Sequence, residues 1–115
     1  MRKFLKSFVY AFRGIIYSFK TQLNFRIECF AAIVVVLLGY FVKLNRSEWL
    51  WVSLAIIIVL VLELINTAIE VLVDLVSPTY HPKAGVVKDA ASAAVLVASV
   101  FAIIVALFIF LPKLN

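Results

Sequence analysis

Cysteine is almost missing from this 115-residue chain, with Cys29 alone. A lone cysteine excludes an intramolecular disulfide and a cysteine-rich metal centre. At the start of an apolar run it reads as a small buried side chain. Glycine and proline occur three times each and histidine once, so neither a glycine-rich phosphate loop nor a histidine metal cluster is available. The sequence contains no G-x-x-x-x-G-K-[ST], no G-x-G-x-x-G and no kinase catalytic loop. Any nucleotide chemistry must therefore come from side chains on helices. Charge is also scarce: 15% of residues are charged, against about 25% in a soluble domain. No linker of Gly and Ser, low-complexity run or repeat divides the chain, so residues 1–115 read as a single domain. No small-residue cleavage site follows an apolar core near the N-terminus, so no cleaved signal is expected.

What is present is hydrocarbon. Hydrophobic residues make up 66% of the sequence, more than the interior of so small a soluble fold can hold. Lipid is therefore the solvent for much of the surface. The formal charge of +5 then points to anionic headgroups, and nucleic acid is not expected as a partner. Residues 1–22 form an amphipathic helix. Phe4, Leu5, Phe8, Phe12, Ile15, Ile16 and Phe19 fall on one side, with Arg2, Lys3, Lys6, Tyr10, Arg13 and Lys20 on the other. That pattern belongs to a helix lying in the membrane interface. Three spans follow, at about 26–44, 48–74 and 88–111. The first is short and needs Arg26 and Lys43 to snorkel outward. The expected fold is an all-α membrane protein: an N-terminal interfacial helix plus three transmembrane helices. Six of the eleven Lys and Arg residues precede residue 27, and Lys83 and Lys88 lie in the loop after the second span. The N-terminus and that loop are expected to be cytoplasmic and the C-terminus outside. In the third span, Ala94, Ala98, Ala102 and Ala106 form a stripe suited to close helix packing.

The second span carries the chemistry. Glu63, Asn66, Glu70 and Asp74 lie at offsets of 0, 3, 7 and 11, within an arc of about 80° on a helix. Thr67 borders the same stripe. A carboxylate in hydrocarbon costs upward of about 2.5 kcal/mol, so it is retained where it meets a partner, water or a substrate. Glu63 lies ~21 Å along the helix from Trp49, and Glu70 ~10 Å further, near the cytoplasmic boundary. A structural polar network between helices is the competing reading, and four polar groups on one stripe weigh against it. Lys88, beside this ridge, is a candidate phosphate cation or a snorkelling anchor. His81 alone in a loop says little.

The run Glu63-Leu64-Ile65-Asn66-Thr67-Ala68-Ile69-Glu70, continuing to Asp74, resembles the signature of the small bacterial diacylglycerol and undecaprenol kinases. Tyr80-His81-Pro82, Lys88-Asp89 and Leu111-Pro112-Lys113 extend the likeness over nearly the whole chain. The resemblance implies an ATP-dependent lipid kinase of the bacterial cytoplasmic membrane. It implies a homotrimer with composite active sites that phosphorylates a membrane lipid, diacylglycerol or undecaprenol. It implies Glu63 as general base, Asn66 as organiser of the catalytic site, and Glu70 as the carboxylate for Mg²⁺ bridged to ATP. Lys88 and Asp89 match the pair that contacts nucleotide and supports catalysis, with Asp74 completing the ridge. Lys3, Tyr10, Tyr80 and His81 match positions lining the ATP site. Gln22 stands where many members carry a second metal-binding carboxylate, and it offers a carbonyl oxygen without charge. Glu28, ~120° from Gln22 around a helix, is not an obvious substitute. A small transporter or a structural membrane oligomer are the alternatives. Neither needs an acidic ridge leading to a basic loop.

Overall fold

A computed structural model describes residues 1–114. It contains four α-helices: α1 (Arg2–Thr21), α2 (Leu23–Phe41), α3 (Arg46–Val76) and α4 (Pro82–Phe110), followed by a 3₁₀ turn (Leu111–Lys113). No strand occurs among the described residues. The protein is all-α. Three helices, α2, α3 and α4, are long and apolar enough to cross a membrane. The 31 residues of α3 extend ~46 Å, beyond a ~30 Å hydrocarbon core. α1, with 20 residues, is less apolar, with basic and aromatic side chains exposed along it.

One residue separates α1 from α2. Gln22 takes an extended conformation, φ −115° and ψ 109°, which breaks the helix and redirects the chain. The joint is held by Arg26, whose Nη1 donates to the carbonyl oxygens of Phe19 at 2.7 Å and Lys20 at 3.1 Å. Those carbonyls end α1 and lack helical donors. The guanidinium expected to snorkel toward headgroups instead caps the preceding helix.

The turn between α2 and α3 is equally specified. Lys43 adopts φ 58°, and the amide of Leu44 donates to Gly39 O at 3.1 Å. Gly39 is required here because an added Cβ would lie 2.8 Å from the Trp49 ring and 2.9 Å from Leu44. Asn45 and Glu48 then form a reciprocal capping box at the start of α3, both bonds 2.9 Å. Glu48 also pairs with Lys113 at 3.1 Å, so the end of α4 lies beside the start of α3.

The main packing runs between α3 and α4, around Leu44, Val52, Ala55, Val105 and Phe110. Within the alanine stripe Ala98 is buried, Ala102 and Ala106 are half-buried and Ala94 is exposed, so the stripe serves partly as a helix contact. At the other end α4 begins at Pro82, earlier than the span boundary near 88. His81 caps it and Pro82, at the first helical position, needs no amide partner. α2 buries only Phe25 and Gly39. Phe30, Leu37 and Phe41 on it are 69%, 64% and 82% exposed, as side chains facing lipid are.

Candidate functional site

The polar ridge of α3 points inward. Glu63, Asn66 and Thr67 are 1%, 6% and 4% exposed. They are buried where α3 packs within the bundle, while Ile65 and Ala68 elsewhere on α3 are exposed. Thr67 Oγ1 donates to the Glu63 carbonyl at 3.0 Å, which satisfies its hydroxyl within the helix. Asn66 Nδ2 donates to Glu70 Oε1 over a long 3.4 Å. Both carboxyl oxygens of Glu63, and Oδ1 of Asn66, are buried with no hydrogen-bond partner. Buried polar atoms are nearly always paired, and leaving a carboxylate unpaired is costly. Three such acceptors side by side mark a place prepared for a donor. An alcohol hydroxyl meets that need.

A fourth unpaired acceptor is Oε2 of Glu28. Glu28, in the first turns of α2, faces the carboxyl group of Glu63. Counting along the sequence does not assign it a role, because α2 carries no polar stripe that sets its inward face. The available signal is that Glu28 is the one acidic residue of a largely apolar membrane helix.

The outer end of the ridge is different. Glu70 is half-buried and Asp74 exposed. Lys88 Nζ lies 2.7 Å from Asp74 Oδ1, joining the end of α3 to the start of α4 across solvent-accessible side chains. Asp89 is exposed beside it, and Tyr80 and His81 are exposed in the linker. His81 Nδ1 accepts the amide of Lys83 at 3.1 Å. On α1, Lys3 and Tyr10 are exposed, and the Arg13 guanidinium lies 5.8 Å from the Tyr10 ring. Gln22 is half-buried at the α1–α2 break. The fold thus brings Glu63, Asn66, Glu70 and Glu28 together and joins Asp74 to Lys88. Lys3, Tyr10, Tyr80 and Asp89 make no side-chain hydrogen bond to them among the described residues.

No group of three His, Cys, Asp or Glu residues could enclose a metal among the described residues. A single carboxylate such as Glu70, half-buried toward the outer end of the ridge, suits Mg²⁺. That ion commonly takes one or two carboxylates and completes its shell with water and phosphate oxygens.

Beside Glu28 an apolar cleft of about 210 Å³ opens between α2, α3 and α4. Its only polar lining side chains are Glu28 and Ser99.

The sequence as a whole has relatives among known proteins. The family described as prokaryotic diacylglycerol kinase matches residues 9–110. This chain belongs to that family. The undecaprenol kinase of Bacillus subtilis is 46% identical over 99% of this chain and 93% of its own length. The diacylglycerol kinase of Synechocystis is 41% identical over 96% of this chain and 63% of its own length. That of Haemophilus influenzae is 33% identical over 82% and 80%. As a prokaryotic diacylglycerol kinase family member, the chain is a multi-pass membrane lipid kinase that uses a lipid and ATP. Neither a transporter nor a purely structural oligomer is favoured.

Proposed function

We propose that the chain transfers the γ-phosphate of ATP to the hydroxyl of diacylglycerol or undecaprenol, with Glu63 as general base. The observation that carries this reading is the Glu63 carboxylate, 1% exposed and without a hydrogen-bond partner. An unpaired carboxylate is chemically able to take one proton, which supports this reading. In the reaction the alcohol O–H breaks, its proton passes to Glu63, and the alcohol oxygen forms the new bond to the γ-phosphorus. The bond from that phosphorus to the bridging oxygen breaks and leaves ADP. A general base contributes about 10²–10⁴-fold. The remainder comes from alignment and charge neutralisation.

Asn66 holds Glu70 through its amide and keeps its own oxygen free beside Glu63. Glu70 would hold Mg²⁺, with Gln22 offering a neutral oxygen; bound there, the ion neutralises phosphate charge. Lys88 supplies a point charge for phosphate and is held by Asp74. Asp89 supports that end of the site. Lys3 and Tyr10 from α1, with Tyr80 and His81 from the linker, line the nucleotide. As the family resemblance implies, the active form would be a homotrimer whose sites are shared between subunits. The membrane is the bacterial cytoplasmic membrane, with the N-terminus and the α3–α4 linker in the cytoplasm, where ATP is.

Purified protein in mixed micelles should consume ATP and form lipid phosphate only when a lipid alcohol is present. ATP consumption unaffected by either alcohol would overturn this reading.

A further inference from the structure

We infer that Glu28 is the positioning residue of the general base: its carboxyl group keeps a proton and donates a hydrogen bond to Glu63, which fixes the Glu63 oxygen that meets the lipid hydroxyl. The inference rests on the lipid kinase reading above and deepens its account of Glu63.

The packing of α2 on α3 sets the two acids face to face. Phe25, 3% exposed, lines one apolar space with Leu60 and Leu64. One turn along α2, Glu28 lines another with Val59 and Leu60. Glu63 follows those two residues by one turn of α3, so Glu28 is brought against it. The two carboxyl groups lie within hydrogen-bonding reach of each other. Both oxygens of Glu63 and Oε2 of Glu28 are buried.

Among the described residues no cation forms an ion pair with either acid. Arg26, the base nearest Glu28 in sequence, donates to the Phe19 and Lys20 carbonyls. Lys88 is committed to Asp74, and Lys20 borders only the Phe25 side of the packing. Glu70, further along α3, adds negative charge near Glu63. Two ionised carboxylates can only accept hydrogen bonds, and out of water they repel strongly. A single proton on the pair removes one charge and creates an O–H···O bond to the other carboxylate. The kinase reading needs Glu63 ionised before the reaction, so the proton resides on Glu28.

That bond gives Glu63 what its own helix does not. A glutamate side chain has several staggered conformers, and the Glu63 carboxylate has no other hydrogen-bond partner to select one. With one oxygen held by Glu28, the other is left for the alcohol proton. Glu28 keeps its own proton during the reaction. The alcohol proton is the one transferred, and Glu63 releases it to water before the next turnover. Misplacement of a reacting group by ~1 Å costs up to about 10²-fold in rate, which is the scale on which Glu28 acts.

The test measures kcat, KM and the Mg²⁺ requirement of the purified full-length protein in mixed micelles with dioleoylglycerol or a long-chain polyprenol. Glu28→Met keeps the length of the side chain but cannot donate. Its kcat should fall about 10- to 10²-fold, with both KM values and the half-maximal Mg²⁺ concentration unchanged. Glu28→Gln retains an N–H donor and should recover most of that loss. In a Glu63→Gln background, Glu28→Met should cost less than about two-fold, because its effect passes through Glu63. If Glu28→Met does not assemble, Glu28→Ala takes its place in each comparison. An unchanged kcat, no recovery in Glu28→Gln, or the full loss repeated beside Glu63→Gln overturns the inference. So does a raised KM for lipid, which makes Glu28 a substrate contact, or a raised Mg²⁺ requirement, which makes it a metal ligand. Each of these leaves the kinase reading standing. Full activity of Glu63→Gln removes the base and its positioning residue together. Phosphorylation of neither alcohol by the unaltered protein overturns the kinase reading and this inference with it.

Discussion

Glu63 combines two conditions that rarely coexist, near-complete burial and two unpaired carboxyl oxygens. Glu63→Gln retains the size of the side chain but removes its ability to take a proton. Lipid kinase activity should fall by about 10²–10⁴-fold, with the oligomer and its thermal unfolding unchanged; a loss of only a few-fold removes Glu63 from the role. A second expectation concerns Gln22. In the proposed metal site a neutral oxygen there would leave one charge fewer than two carboxylates, and the ion would depend more on nucleotide phosphates. A Mg²⁺ titration at saturating ATP should show a lower half-maximal concentration for Gln22→Glu and near-complete loss of activity for Glu70→Gln. An unchanged titration for Gln22→Glu, or an active Glu70→Gln, moves the metal elsewhere. Glu63, Asn66 and Glu70 were legible from sequence because helical periodicity alone places them on one stripe. Glu28 was not, because its partner is three-dimensional: only the packing of α2 on α3 turns it toward Glu63.

At the scale of elements, the joints are specified more tightly than the helices they connect. The four helices were legible from apolar run length and amphipathic period. Their joints were not, because they depend on contacts between particular atoms. Arg26 reads from sequence as a snorkelling cation, yet it donates to the last carbonyls of α1. Likewise the start of α4 depends on the His81 cap and Pro82, which hydropathy does not register. Arg26 sets the direction in which α1, with Lys3 and Tyr10, leaves α2. Arg26→Ala should destabilise the fold by about 1–2 kcal/mol and raise KM for ATP more than KM for lipid. A denaturant titration and the two KM values check both parts, and equal effects on the two KM values separate Arg26 from the nucleotide side. Gly39 makes the corresponding case at the α2–α3 turn. A methyl group there meets the Trp49 ring at 2.8 Å, so Gly39→Ala should cost about 1–3 kcal/mol by overpacking, read as a lower unfolding midpoint.

For the whole molecule, the two ion pairs mark opposite ends of the bundle. Glu48–Lys113 joins the start of α3 to the end of α4, and Asp74–Lys88 joins the end of α3 to the start of α4. α3 and α4 are therefore antiparallel, and with α2 they make three crossings. An odd number of crossings places the two termini on opposite sides. Charge chooses between the two orientations. Arg2, Lys3, Lys6, Arg13, Lys20 and Arg26 precede or begin the first span, and Lys83 and Lys88 lie at the α3–α4 end. The opposite end has only Lys43, Arg46 and Lys113, and Lys113 is paired with Glu48. On the positive-inside bias we propose that Glu70, Asp74 and Lys88 face the cytoplasm, the compartment that supplies ATP. A reporter that works only outside the cytoplasm should be active when fused after Asn115 and silent when fused ahead of Met1. A reporter that works only inside should give the reverse. Cytoplasmic signal from both fusions overturns the three-crossing arrangement. A full reversal keeps the crossings but places the ridge on the side without ATP, which the kinase reading does not survive.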